Sequence, residues 1–367
     1  MSDFVHPVVT ARSMPFWCVG NPLADPFGGA VLKGLDSLET ARIIADAAKE
    51  GLIEATSYHD DDLVPWDPEN CEDDLDPSSF TYRRLREIKA VLDEAGVRVH
   101  ASICSLHGNP IFRDGGLCNP DPEIRRLAKL KVQRTLRFGQ FFGAEYYTYW
   151  VARDGFEVPV VTRWDKVYEY LAGGLNAVTD YIRQNNMTNY IGATVEPKPN
   201  EPRGQMFLPT SGHAVGFICS KLNEPDFWGV NPELLQHESM ALMNSVMTVS
   251  YLVSTGKLKF IHFGSQIKAQ FDNDFPPLVG PEGLKETVML FYALKQLGWK
   301  GVVEFDCHML RAEADIAEQI SCRRQFIRNC SEALDIALKL ADRIQPPAPG
   351  ISQSAADLAS IRQMCNL

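Results

Sequence analysis

No apolar run in the sequence is long enough to cross a bilayer, so nothing in it reads as a transmembrane helix. The opening stretch MSDFVHPVVTARSMPFW has no basic region leading into an apolar core, so no secretory signal is expected there. Positive charge is scarce: 36 lysines and arginines stand against 47 aspartates and glutamates, a net charge of −11. That balance argues against the basic stripe a nucleic-acid binder needs, and it leaves surplus carboxylates that metal ions could hold. Cysteine pairing is missing too. The nine cysteines form no CxxC and no dense framework, and an odd, scattered set reads as reduced thiols in a cytoplasmic protein. No GxGxxG follows the first candidate strand, which removes the best signature of an open, doubly wound dinucleotide-binding sheet.

What is present is alternation. Short runs rich in β-branched and aromatic residues predict strands at 15–19, 53–59, 97–103, 145–150, 190–196, 227–231, 259–263 and 301–306. Amphipathic stretches separate them, such as SLETARIIADAAKEG (37–51) and SSFTYRRLREIKAVLDEAG (78–96), the latter opening on N-capping serines and closing on Gly96. Eight strand–helix units in 367 residues predict an α/β fold, a (β/α)8 TIM barrel with a short C-terminal helical extension. The expected division is an N-terminal arm at 1–14, the barrel at 15–343, and a linker with a short helix at 344–367, where QPPAPGISQS breaks the pattern.

In such a barrel the reactive groups sit at the C-terminal ends of the strands. Those ends carry YHDDD (58–62), VEPK (195–198), VNPE (230–233), FIHF (260–263) and EFDCH (304–308). Carboxylates crowded into one pocket repel, and a divalent cation relieves the repulsion. Asp62 lies one turn beyond His59 and could fix its tautomer as a general base, whereas the acidic run from Asp67 to Asp76 reads as a solvated loop. Glu196 and Lys198, two apart on a strand, share a face, either as a metal ligand beside an ammonium group or as a structural ion pair. Arginines 125, 126, 134 and 137 fall on a helix outside the barrel, as solvated or subunit-contact residues.

YHDDDLVPW, VEPKPNEPRG, GVNPE, FDND (271–274), VGNPLADPFGG, NPIFRDGG and LPTSGHAVGFI together resemble the xylose isomerase family, specifically its shorter, actinobacterial-type branch, from about Pro15 to the last barrel helix. The resemblance implies an aldose–ketose isomerase using two divalent metals and a 1,2-hydride shift. It implies ring opening by His59 with Asp62, and a carbonyl contact from Lys198. Trp17 and Trp150 match tryptophans that wall the sugar, and Phe27 matches a phenylalanine from a neighbouring subunit. Glu196, Glu233 and Asp306 match ligands of the first metal; Glu233, His237, Asp272 and Asp274 match the second group.

There are departures from the family pattern. His262 replaces an aspartate ligand, which shifts the expected metal from Mg2+ toward Mn2+, Co2+ or Zn2+. NPELLQHES carries an extra residue between Glu233 and His237, although glutamate and histidine could still share a helical turn. His107 stands for an aromatic residue that lines the sugar pocket, His308 for a lysine, and Gln205 for an aspartate. The segment after the barrel is shorter than the family's arm, so a homo-oligomer is expected as either a dimer or a tetramer. One or two metals per chain and a small sugar substrate are expected, with neither nucleic acid nor membrane as partner. An epimerase working by proton transfer and a non-catalytic sugar-binding protein stand as alternatives. Phosphodiester hydrolysis is disfavoured by the acidic balance.

Overall fold

The computed structural model describes residues 6–21, 31–70, 75–267, 270–279 and 283–366. Eight strands form one parallel sheet: β1 (Val9–Ser13), β2 (Ala55–His59), β3 (Arg98–Ile103), β4 (Tyr146–Trp150), β5 (Gly192–Glu196), β6 (Trp228–Val230), β7 (Ile261–His262) and β8 (Gly301–Glu304). Their order is β6-β5-β4-β3-β2-β1-β8-β7. Parallel bridges between Val230 and Leu258 and between Glu233 and His262 close the ring. Eight helices alternate with the strands: α1 (Ser37–Lys49), α2 (Phe80–Glu94), α3 (Pro122–Phe142), α4 (Val167–Gln184), α5 (Ser211–Lys221), α6 (Ser245–Ser254), α7 (Gly283–Gln296) and α8 (Gln319–Arg343). A ninth, α9 (Gln353–Cys365), packs back on α8, where Arg343 donates to the Met364 carbonyl at 2.8 Å. The result is the expected (β/α)8 barrel with a short helical extension.

Seven predicted strands are in place and the first is not. Residues 16–19 of the run predicted as a strand fall in a short helix, Phe16–Gly20, entered through the extended Pro15. The barrel's first strand lies upstream, inside the stretch expected to be an arm. It is hard to read because Thr10, Arg12 and Ser13 dilute its apolar content. Arg12 is nevertheless buried, because it donates to Glu54 Oε1 and the Gly51 carbonyl at 2.6 Å each and to Ser331 Oγ at 2.9 Å. A paired guanidinium can be buried where a lone one cannot.

The barrel interior changes character along its axis. Ala11, Ala55, Ala101, Phe260 and Val302 form an apolar plug. Val302, Glu304 and Asp306 then follow at a spacing of two, so one face of β8 and its extension runs from apolar plug to charged mouth. Outside the barrel, α1 is capped by a reciprocal pair, Leu38 N on Asp36 Oδ1 and Asp36 N on Glu39 Oε2. The fully buried Arg323 of α8 donates to the Val19 and Lys33 carbonyls at 2.8 and 2.9 Å, tying down the segment that carries Trp17.

Arg134 corrects another expectation. It is fully buried, and with Lys131 it turns inward from α3 to Asp60, at 2.8 and 2.5 Å from Asp60 Oδ2. Asp60 Oδ1 accepts from Ser105 N at 2.8 Å, so this cluster locks the ends of β2 and β3 together behind His59. Removing one member of a buried ionic group strands the others in low dielectric, at a cost of about 3–5 kcal/mol. Asp60→Asn should lower the urea midpoint correspondingly, whereas Lys166→Ala, which breaks an exposed pair with Glu169, should leave it unchanged. Equal midpoints for the two variants, followed by circular dichroism, would contradict this account.

Candidate active site and metal centre

The strand ends converge on one cavity of about 420 Å3 at the C-terminal mouth. Of the residues singled out in the sequence, Trp17, His59, Asp62, His107, Trp150, Glu196, Lys198, Glu233, His237, Asp272, Asp274, Asp306 and His308 all line it. His262 lies buried beneath the wall. Phe27 falls outside the described residues. Gln205, in a two-residue strand that pairs with Gly155–Phe156, is exposed and lies off the cavity.

Two groups of ligand atoms, each within 4.8 Å of one another, share Glu233. The inner group is Glu196, Glu233, His262 and Asp306; the outer is Glu233, His237, Asp272 and Asp274. His262 Nδ1 lies 2.8 Å from Asp306 Oδ2, 3.4 Å from Glu196 Oε2 and 4.0 Å from Glu233 Oε1. His237 Nδ1 donates to the Pro197 carbonyl at 3.1 Å, which leaves Nε2 facing Glu233 Oε2 at 3.3 Å and Asp272 Oδ2 at 3.2 Å. The extra residue in ELLQH does not give a shared helical turn. The short helix His237–Met240 begins at the histidine, and Glu233 stands before it, bridged to His262.

Electrostatics set these acids apart from surface carboxylates. Burial, then repulsion from Asp306, Asp274, Asp272 and Glu196, pushes Glu233 well above the usual carboxylate range. Burial likewise raises Glu196, and burial with the neighbouring Asp272 and Asp306 raises Asp274. Asp272 goes the other way: burial opposes its charge, but the Lys198 ammonium and His237 outweigh it. Lys198 Nζ sits 2.5 Å from Asp272 Oδ2, so the lysine pairs across the mouth with Asp272. Burial disfavours its charge, yet Asp272 and Asp274 hold its pKa above the ordinary lysine value.

The donor set fits a divalent cation. Glu233 Oε2, His262 Nδ1 and Asp272 Oδ1 are buried without a completed hydrogen bond, His262 in the inner group, Asp272 in the outer, and Glu233 shared by both. Mixed carboxylate and imidazole donors suit Mn2+, Co2+ or Zn2+ as well as Mg2+.

The opposite wall is built of rings. Trp17 and His59 meet at a tilt with centroids 4.5 Å apart, and His59–His107 at 5.3 Å and His107–Trp150 at 4.8 Å meet edge to face. Asp62 Oδ2 accepts from His59 N at 2.7 Å and lies 3.5 Å from His59 Nδ1. Burial works against a charged His59, but Asp62 overcomes it and raises the pKa. Burial drives His107 well below the ordinary histidine value, and it lowers His308 as well.

Several contributors escaped the sequence reading. Gln236, one of the three residues between Glu233 and His237, donates Nε2 to Asp274 Oδ1 at 2.9 Å and to the Asp306 carbonyl at 2.7 Å. It fills the space over Gly264, where a Cβ would come within 2.9 Å of its side chain. Asn231 Nδ2 donates to Glu196 Oε2 at 3.1 Å. Glu304, deep inside the barrel, accepts from His100 Nε2 and Ser13 Oγ at 2.5 Å each. Burial alone would raise its pKa, but His100 and His262 hold it low. The only signals available were a glutamate in EFDCH and a histidine inside the apolar strand VRVHASI.

No protein-family profile matches the chain. Against known proteins it is 35% identical over 297 residues to the xylose isomerase of Thermus thermophilus, covering 81% of this chain and 72% of the relative. The same identity and coverage relate it to the xylose isomerase of Thermus caldophilus. Among solved structures, a putative xylose isomerase from Rhodospirillum rubrum superposes with a TM-score of 0.62 at 13% identity, over 88% of this chain and 98% of that one. An L-ribulose 3-epimerase gives 0.60 at 14% identity, over 91% and 96%. At those identities the superpositions establish the fold alone. Sequence identity over most of both chains goes further, and the chain belongs to the xylose isomerase family.

Proposed function

We propose that this chain is a divalent-metal-dependent aldose–ketose isomerase of the xylose isomerase type, acting on a sugar or sugar-like substrate. The observation that carries this reading is the convergence of two ligand groups, Lys198 and the His59–Asp62 pair on one cavity. Glu196, Glu233, His262 and Asp306 would hold one cation, and Glu233, His237, Asp272 and Asp274 a second. Bound divalent cations supply Lewis-acid polarisation of adjacent sugar oxygens.

The chain's own residues divide the remaining work. His59 handles the ring-opening proton: with Nδ1 turned to Asp62, Nε2 is left for the ring oxygen or the anomeric hydroxyl. Lys198, kept charged by Asp272, donates to the carbonyl oxygen as hydride moves between neighbouring carbons. Trp17 and Trp150 offer apolar faces to the sugar carbons and keep water out. His107, kept neutral by burial and with Nδ1 unpartnered, hydrogen-bonds a hydroxyl where an aromatic ring could not, and His308 offers a second polar contact. Phe27 would complete the pocket of a neighbouring subunit in a homo-oligomer.

A second reading, epimerisation through an enediolate, draws on His262, since a neutral nitrogen in place of a carboxylate alters how the inner site stabilises charge. One experiment separates the two. Metal-loaded protein is incubated with a panel of aldoses and ketoses in 2H2O, and products are followed by NMR. Aldose–ketose conversion without deuterium on carbon is expected; deuterium at the reacting carbon would establish proton transfer, and no conversion of any sugar would sink the proposal.

Metal content provides a second check. Plasma mass spectrometry on protein dialysed against Mn2+ should find two equivalents per chain, falling to one in Asp272→Ala/Asp274→Ala; a count of one that survives the double substitution rules out the outer site.

The pH profile tests His59. Because Asp62 raises the His59 pKa, the activity that needs neutral His59 is lost as pH falls through that raised value. Asp62→Asn should therefore move the acidic limb of kcat/KM to lower pH. An unmoved limb would remove His59 from the proton step.

A further inference from the structure

We propose that Glu304, braced by His100 and Ser13, is a positioning residue that turns His262 so that its Nδ1 is offered as the nitrogen ligand of the inner cluster. The inference rests on the metal-binding part of the reading above and is independent of which sugar is bound. Glu304 is fully buried and does not line the cavity, so it cannot touch a substrate there. A carboxylate in that position is costly unless it is fully engaged. Its Oε2 accepts from Ser13 Oγ of β1 and His100 Nε2 of β3 at 2.5 Å each, while Oε1, which completes no hydrogen bond, faces His262 Nε2 of β7 at 3.1 Å.

The geometry decides what His262 can do. A neutral imidazole carries one N–H and one lone pair. Carboxylates face both nitrogens, Asp306 Oδ2 at 2.8 Å from Nδ1 and Glu304 Oε1 at 3.1 Å from Nε2, and although burial opposes a charged ring, Glu196 and Asp306 raise its pKa well above the ordinary histidine value. A cation held at Nδ1 would take the lone pair there and leave the one N–H on Nε2, toward Glu304 Oε1. Asn231 Nδ2 also approaches Nε2, at 3.3 Å, but its stronger contact is with Glu196 Oε2 at 3.1 Å. Glu304 Oε2 is occupied by His100 and Ser13, which fixes the plane of the carboxylate and leaves Oε1 to face the ring. A set of three carboxylates and one imidazole has one negative charge fewer than four carboxylates would have. Glu304 returns that charge one contact further out. Outer partners of this kind change metal affinity by about 10- to 100-fold when removed.

The test uses full-length protein in the Asp272→Ala/Asp274→Ala background, where the inner group alone is intact, with Mn2+ as the probe. Pulsed EPR reads 14N coupling to the bound ion, a direct signature of a histidine ligand, and calorimetry reads affinity. With Glu304 present, 14N coupling is expected. Glu304→Ala should weaken Mn2+ by about 10- to 100-fold and diminish the coupling. Glu304→Gln keeps the volume and an accepting oxygen, so it should retain the coupling while binding more weakly than the parent. If the alanine variant does not fold, the glutamine variant decides, and parental affinity there overturns the proposal. It is equally overturned if the parent shows no 14N coupling, or if both variants match the parent in coupling and affinity. A protein that binds Mn2+ in this way yet converts no sugar would sink the isomerase reading and leave this one standing.

Discussion

The constraint on which the site depends is the crowding of carboxylates drawn from bulk solvent into the barrel mouth. Glu196, Glu233, Asp272, Asp274 and Asp306 sit within two overlapping groups, and burial removes the solvation that would otherwise keep like charges apart. Such an arrangement persists only if opposite charge is brought to it, and the chain does so unevenly. Lys198 and His237 stabilise Asp272 directly, while Glu233 and Asp274 are left with pKa values raised well above normal. The unbalanced remainder is what makes both groups candidate sites for divalent cations. Gln236 contributes without charge, spending its two donors on Asp274 and the Asp306 carbonyl, so Asp274 is oriented but not neutralised.

The two halves of the barrel make different contributions. Strands β1 to β4 and the loops after them supply Trp17, His59, His107 and Trp150, the ring wall. Strands β5 to β8 and the segments after them supply every candidate ligand of the two groups. Two of the contacts that join the halves involve the ring wall: Trp17 Nε1 donates to Asp306 Oδ1 at 2.7 Å, and Lys198 Nζ lies 5.7 Å over the Trp150 ring. Each contact joins an aromatic residue of the wall to a group that also serves the metal side. A tryptophan at either position therefore orients the charged half as well as bounding the cavity.

What could be read from the sequence follows from distance along the chain. Glu196 and Lys198 are two residues apart on one strand, and His59 and Asp62 three apart across a strand end, so local periodicity was enough to place them. The fold was legible for the same reason: seven strands are short apolar runs bounded by turns and helices. The first strand was obscured because its polar residues are buried by partners 42 and 291 residues away, Glu54 for Arg12 and Glu304 for Ser13. Arg134 looked solvated because its partner, Asp60, is 74 residues distant. His100 and Glu304 meet across 204 residues, and no pattern in either segment announces the other. Polar pairs across a barrel interior follow from closure, which a linear pattern does not carry.

The histidine on β7, a candidate ligand of the inner group, then has a physical context that the sequence alone could not provide. An imidazole cannot simply replace a carboxylate in a crowded acidic site, because its second nitrogen also needs a partner once buried. In this chain that partner is Glu304, and Glu304 in turn needs His100 and Ser13 to remain ionised below the mouth. A change at the ligand is thus coupled to residues on β1, β3 and β8. The coupling runs through direct contacts of 2.5 to 3.1 Å, so it requires no motion of the backbone. Replacing His262 by aspartate would set a carboxylate against Glu304 in a buried site and create repulsion where there is now attraction. His262 and its deep support therefore act as one unit.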